Sequence, residues 1–344
     1  YEIPPTLEYV ESLITGTGSK LDIATFKVVD QLTGRMMGIR ADTTPQAARI
    51  DAHMLNHQGV SRLCYAGKVL RTAPSGLART REPLQVGAEL FGHAGVESDI
   101  EIQCLMIKSL QAIGLTDLHV DFSHVGLFES LIEAGNIDES LENALYGALL
   151  SKDKTLVAEL ADGLDKTIKQ ALIDLTDLNG DVSVLKRAQA TLPALPNIQK
   201  ALQDLTSVAE KLVSLDVQIG FDLSELRGYH YHSGLVFAAY AQSYSGPLAL
   251  GGRYDEVGES FGRARPATGF SLDLRGVVTA LSAATLAKGI LAPVSDDVAL
   301  QVKIEALRAE GQIVIQALPN DETNLEELNC DQTLKQTNGE WQVV

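Results

Sequence analysis

The sequence predicts an α+β fold: an antiparallel or mixed sheet flanked by helices, interrupted by a helical insertion and followed by a small α/β segment. Three observations carry this. Residues 1–125 mix short β-type segments with helical ones, residues 126–215 read almost wholly as helix, and strand character returns at "VQIGFDLSELRGYHYHSGLVFAAYA", residues 217–241. Strands on both sides of a helical run make that run an insertion into one sheet. The expected domains are therefore residues 1–125 joined to 216–282, a helical insertion over 126–215, and a small, reduced C-terminal domain over 283–344. A length of 344 residues agrees with about two domains.

In chain order, residues 23–29, 36–40, 60–70 and 84–91 read as strands, and 45–57 and 97–113 as helices. In "SLENALYGALLSKDKTLVAELADGL" apolar residues recur every three or four positions, the period of a helix with one buried face. Near the end, "IEALRAEGQIVIQAL" reads as helix then strand, and "TLKQTNGEWQVV" as a hairpin turning at Asn338-Gly339.

Composition excludes several classes. The apolar runs "LVFAAYA" and "ILAPV" are far shorter than the ~20 residues that span a bilayer. "YEIPPTLEYVE" has no basic stretch leading into an apolar one, so no signal peptide is expected. Cys64, Cys104 and Cys330 are widely separated, which suits a reducing cytoplasm and suggests neither a metal site nor a disulfide framework. Lys plus Arg total 28 against 45 Asp plus Glu, a net charge of −17. Such a surface repels nucleic acid, whose binding draws on cations that displace phosphate counterions. The densest cationic segment, residues 71–83 with Arg71, Arg79 and Arg81, suits a small anionic ligand better than a duplex.

Four segments concentrate chemistry. In "PLQVGAELFG", alternation puts Gln85, Gly87, Glu89 and Phe91 on one face, so a ligand can lie against Gly87 between two polar side chains; the alternative is a half-exposed strand whose polar face meets water. In "IRADTTPQAARI", Thr44 is a candidate N-cap with Pro45 at the first helical position, and Asp42 can pair with an ammonium group; plain capping explains the same pattern. "LRGYHYHSG" gathers Arg227, Tyr229, His230, Tyr231 and His232, either as the wall of an organic-ligand site or as a satisfied polar cluster. The two histidines lack a third ligand nearby, so no metal is expected. "GGRYD" delivers Arg253, Tyr254 and Asp255 from a glycine pair, and is equally a tight turn with solvated charges.

Taken together, these segments resemble the catalytic domain of the histidyl-tRNA synthetase family, a class II aminoacyl-tRNA synthetase fold, over roughly residues 1–280. "YEIPPTLE" is similar to motif 1, with Pro5 at the dimer-interface position; "GKVLRTAPSGLARTREPLQVGAELFG" to motif 2; "LRGYHYHSGLVF" to the histidine-specific loop; and "GGRYDEVG" with "ATGFSLDL" to the approach to motif 3. The resemblance implies a histidine-binding set of Asp42, Thr44, Arg71, Gln85, Glu89, Arg227, Tyr231, His232 and Tyr254. In it Glu89 and Tyr254 read the imidazole, Asp42, Thr44 and Gln85 hold the ammonium, and Arg71 and Arg227 face the carboxylate. Asp42 stands where that family has Glu, and His232 where it has Tyr.

The nucleotide side departs further. Motif 3 ends in an arginine that clamps ATP phosphates, and Gly276 occupies that position. Asp273 replaces a glycine, and Ala73 replaces the glutamate of motif 2. Arg275 is one position off, which turns a helical side chain by about 100°. Binding without activation chemistry is the expectation, with no catalytic residue and no cofactor. This pattern resembles the histidyl-tRNA-synthetase-like regulatory subunits of ATP phosphoribosyltransferase. That resemblance implies a homodimer that joins a short-form catalytic subunit in a hetero-octamer, four chains of each, with L-histidine as feedback effector. The alternatives are an active histidine:tRNA ligase and a pseudo-synthetase that senses amino acid or tRNA.

Overall fold

The structure, a computed structural model, describes residues 1–14, 18–74, 80–229, 231–281, 287–320 and 324–344. Arg79 and His230 lie outside them. The chain forms two compact units, Tyr1–Leu281 and Ser282–Val344.

In the first unit, β1 (Leu7–Tyr9), β2 (Phe26–Val29) and β3 (Met36–Ile39) make a small sheet in the order β1-β3-β2. The expected strand at 23–29 is shorter, because residues Gly18–Ala24 are helical. The main sheet comprises β4 (Ser61–Lys68), β5 (Leu84–Phe91), β6 (Leu118–His124), β7 (Asn179–Gly180), β8 (Gln218–Asp222), β9 (Leu235–Ala241), β10 (Ala249–Arg253) and β11 (Ala267–Asp273). Its order is β4-β5-β11-β10-β9-β6-β8-β7. Every pairing is antiparallel except β6 with β8, so the sheet is mixed. The segment 217–241 is two strands, β8 and β9, parted by a turn-rich loop that carries Arg227, Tyr231 and His232.

The helices between β6 and β8, from Gly126–Gly135 to Pro196–Leu212, do not build a core apart from the sheet. Leu127, Leu131, Leu145, Leu149 and Leu205 are in the same apolar cluster as Phe122 of β6 and Phe221 of β8. The helix Val96–Ala112 joins them through Ile102, Met106 and Leu110. Ala88 and Leu90 of β5 also belong to this cluster. The opposite face of β5 meets a second cluster, which contains Ala47, Ala48, Tyr65, Phe91, Tyr254, Val257 and Phe261. Both faces of β5 are thus covered.

In the second unit, β12 (Gly289–Ala292) runs parallel to both β13 (Val314–Gln316) and β14 (Cys330–Thr337), and β15 (Glu340–Val343) pairs antiparallel with β14. The expected hairpin turn is present: Asn338 and Gly339 take φ of 52° and 86°, the left-handed values that a two-residue turn of this hand requires. Leu300, Ile304 and Leu307 of the helix Val298–Ala309 form a core of their own with Ile290, Val314 and Leu334.

Candidate functional site

Alternation along β5 sends Gln85 and Glu89 to one face, and that face is closed rather than solvated: Glu89 is 2% exposed and Gln85 3%. The half-exposed alternative is excluded. A carboxylate this deep must be hydrogen-bonded or neutral. Glu89 Oε1 accepts from Thr44 Oγ1 at 2.9 Å and from Tyr65 OH at 3.0 Å, and Oε2 accepts from Tyr254 OH. Burial outweighs these bonds and pushes the Glu89 carboxyl up to about 8.

Gln85 is equally engaged. Its Oε1 accepts from the Thr43 N–H at 3.1 Å and Thr43 Oγ1 at 2.9 Å, while its Nε2 donates to Asp42 Oδ1 at 2.7 Å and Ser271 Oγ at 3.2 Å. The helix that supplies Thr43 and Thr44 begins one residue earlier than expected. Thr43 is the N-cap, Thr44 is the first helical residue, and neither hydroxyl caps the helix. Both turn into the site instead. The helix Thr44–Arg49 continues as a π-helical turn, Ile50–Leu55, and stops at left-handed Asn56.

Glycines let the side chains lie flat on the sheet. A Cβ at Gly269 would sit 1.5 Å from Glu89 Oε2, and one at Gly252 would sit 2.6 Å from His232 Cδ2. At Gly87 it would meet the Tyr65 ring and hydroxyl at 2.5 Å. This corrects the expectation that Gly87 leaves room for a ligand, because Tyr65, opposite it in register on β4, fills that space. Tyr65 was missed in the sequence. Its signal was a bulky residue facing a glycine across a strand pair, visible only once the register is known.

Tyr231 stacks on Tyr254 with ring centroids 5.4 Å apart and meets His232 edge-on at 5.4 Å. The Tyr231 hydroxyl is buried without a hydrogen-bond partner among the described residues, and the His232 ring lies against the Arg227–Gly228 backbone. Burial lowers His232 to about 4, so its ring is neutral near pH 7. The "GGRYD" segment is no solvated turn. Arg253 is 7% exposed, bonds Asp99 Oδ2 at 2.7 Å and Ser98 Oγ at 2.8 Å, and anchors the end of β10 just before Tyr254.

The nine expected residues therefore fall into two groups. Asp42, Thr44, Gln85, Glu89 and Tyr254 interlock through the bonds above, and Arg71 reaches their edge, with its Nε donating to the Ala41 carbonyl at 3.2 Å. Arg227 stands elsewhere. It donates to Glu225 Oε2 at 3.1 Å and, with His232, lines a cavity of about 170 Å³. Neither Glu89 nor the residues interlocked with it border that cavity. Tyr231, between Tyr254 and His232, bridges the groups.

On the expected nucleotide side, a Cβ at Gly276 would lie 3.2 Å from Cζ and the hydroxyl of Tyr244, so the tip of that ring would have to shift slightly to admit any side chain there. Arg275 pairs with Glu82 at 3.5 Å, and Asp273 Oδ1 accepts from the Leu84 N–H at 3.1 Å, tying β11 to β5. Among the described residues no group of three or more His, Cys, Asp or Glu side chains is arranged for a metal ion.

Residues 1–277 match the family model for histidyl-tRNA synthetase, and residues 287–344 that for the ATP phosphoribosyltransferase subunit HisZ C-terminal domain. The chain is 64% identical, over its whole length and 89% of the relative's, to the ATP phosphoribosyltransferase regulatory subunit of Methylobacillus flagellatus. The chain belongs to the family of ATP phosphoribosyltransferase regulatory subunits. The family works in histidine biosynthesis, and the chain is a regulatory subunit on a synthetase-like frame. A solved ATP phosphoribosyltransferase regulatory subunit/histidyl-tRNA synthetase from Bacillus halodurans superposes with TM-score 0.82 at 28% identity, covering 96% of this chain and 88% of that one. A chain of the ATP phosphoribosyl transferase (HisG:HisZ) complex from Thermotoga maritima shares the fold, with TM-score 0.60 at 20% identity over 79% of this chain and 89% of that one.

Proposed function

We propose that this regulatory subunit has no synthetase activity of its own, and that it activates a short-form ATP phosphoribosyltransferase catalytic subunit and confers feedback inhibition by L-histidine. The observation that carries the reading is an asymmetry. Groups able to meet an amino acid are retained on the sheet face, whereas the phosphate-clamping position is held by Gly276, which has no side chain to offer a phosphate. The nine residues form one histidine-responsive site in which Arg227 and His232 border the cavity, and the Glu89 cluster holds Tyr254 and Tyr231 behind His232.

The homodimer and the four-plus-four hetero-octamer belong to the same reading. Support for self-association comes from exposed apolar side chains on and around the N-terminal sheet: Leu7, Val28, Val29, Met36 and Leu32. The ATP phosphoribosyl transferase (HisG:HisZ) complex from Thermotoga maritima, which shares the fold, supports a catalytic partner. The charge of −17 speaks against nucleic acid, and a cytoplasmic setting fits the three unpaired cysteines.

Mixing the chain with a short-form catalytic subunit should shift its mass to that of the hetero-octamer and raise phosphoribosyl transfer. Histidine-dependent ATP–pyrophosphate exchange should stay at background. Exchange at about 1 per second or faster, the ordinary range of enzymes, would instead select the ligase.

A further inference from the structure

The loop between β8 and β9 is held from two sides. Its turn is closed by backbone bonds: the Tyr229 N–H donates to Leu226 O at 2.9 Å, and the N–H groups of Tyr231 and His232 donate to Gly228 O at 2.8 and 2.9 Å. The turn sends its tyrosines opposite ways. Tyr231 stacks on Tyr254 at the sheet site, whereas Tyr229, 8% exposed, enters the apolar cluster of the helical insertion. There its ring meets Phe128 of the helix Gly126–Gly135 edge-on at 5.1 Å and stacks on Tyr146 of the helix Glu139–Leu150 at 5.7 Å.

Aromatic packing alone would make a permanent joint, but the polar groups around it are all of one sign. The Tyr229 hydroxyl donates to Glu142, with Glu129 and Glu133 within electrostatic reach. Glu129 in turn faces Glu133 on its own helix, Glu142 on the next, and Glu256, two residues beyond Tyr254. Four carboxylates therefore converge from three segments. Cations on the neighbouring elements are engaged elsewhere: His124 faces Asp204 at 3.8 Å, Lys200 pairs with the same Asp204 at 2.6 Å, and Lys169 pairs with Asp162 at 3.0 Å. The helix Lys166–Leu175 buries Ile168, Ala171 and Leu172, which bring no charge. Burial first, and then repulsion from the other three, push the Glu129 carboxyl up to about 7.

We propose that Tyr229 is the bolt of a proton-operated latch between the turn and the helical insertion, released when Glu129 ionises beside Glu133, Glu142 and Glu256. A further negative charge in the seam sets the insertion against the segment that carries Glu256, and the turn is the element that yields at least cost. Release loosens the mounting of Arg227, Tyr231 and His232 together, because all three belong to the turn that Tyr229 anchors. Glu129 titrates higher in the closed latch than the ordinary 4.5, so its contribution is fully present below about 4.5 and is lost as pH rises through about 7. The latch is a property of the ligand-free chain; only its use in regulation rests on the function proposed above.

The test is hydrogen–deuterium exchange of the ligand-free full chain between pH 5.5 and 7.5, with each rate divided by that of the unstructured peptide at the same pH. Protection of the turn amides, residues 226–233, should fall about ten- to twenty-fold across this window, the share of the Glu129 shift that lies within it. Glu129→Gln should stay near the pH 5.5 level throughout. Tyr229→Phe, which keeps the ring but loses the bond to Glu142, should be several-fold less protected at every pH. Protection that does not change with pH in the wild type, or a fall that persists in Glu129→Gln, overturns the latch. If the fall disappears in Glu89→Gln instead, it belongs to that buried carboxyl and the proposal fails. Tyr229→Phe protected like wild type would make the ring a structural plug and no bolt. The mass shift and the exchange assay of the proposed function are independent of all these outcomes.

Discussion

Two ends of one sheet face have opposite characters. Around Glu89 the polar atoms are joined to one another: three hydroxyls on one carboxyl, and a glutamine bonded through both ends of its amide. Beside Arg227 there is a cavity, and the Ser123 hydroxyl on its wall has no hydrogen-bond partner among the described residues. A satisfied buried network rigidifies its surroundings, whereas unpaired groups facing space are free to bind. The synthetase-like motif thus persists as a brace at one end and, on the proposed function, as a receptor at the other.

The comparison breaks most readily at Glu89. Glu89→Ala would leave the hydroxyls of Thr44, Tyr65 and Tyr254 without their shared acceptor, and should cost about 3 kcal/mol or more of stability by denaturant unfolding. A chain that tolerates this change without loss would show that the cluster is no brace.

A somewhat smaller effect lies in its pH dependence. The Glu89 carboxyl titrates at about 8 in the folded chain against an ordinary value of 4.5. Between these values the folded state retains a proton that the unfolded state releases. The contribution is therefore fully present below about 4.5 and is lost as pH rises through about 8. The slope should approach 1.4 kcal/mol per pH unit, or roughly 2–3 kcal/mol between pH 5.5 and 7.5. Glu89→Gln should abolish it, so the stability difference between variant and wild type should change by that amount across the window.

The smallest stability effect belongs to the receptor end. Arg227 is about half exposed and its pair with Glu225 is solvent-screened, so Arg227→Ala should change stability by less than about 1 kcal/mol. Histidine affinity should nevertheless fall about ten-fold. If Arg227→Ala unfolds the chain or leaves affinity unchanged, the division into brace and receptor is wrong.

Much of the architecture was legible in the residue order. The helical period over 126–215 and the Asn338-Gly339 turn needed no partner to be recognised, because each depends on neighbours within a few positions. Alternation along "LQVGAELF" placed Gln85 and Glu89 on a shared face for the same local reason. Thr44, Glu89 and Tyr254 belong to one expected set, and the fold joins them.

Tertiary structure alone decided what that face does. Glu89 meets Tyr254 across 165 residues of chain. Whether Gly87 opens a space or receives Tyr65 depends on the register of β4 against β5. Ser123 carried no signal in "HVDFSHVG", since a serine in a strand is ordinary until its hydroxyl is found buried beside a cavity with no partner among the described residues. Local pattern determines which side of a strand a residue takes. What stands opposite it follows from pairings between distant segments, and therefore so does whether a polar group is satisfied by the protein or left for a ligand.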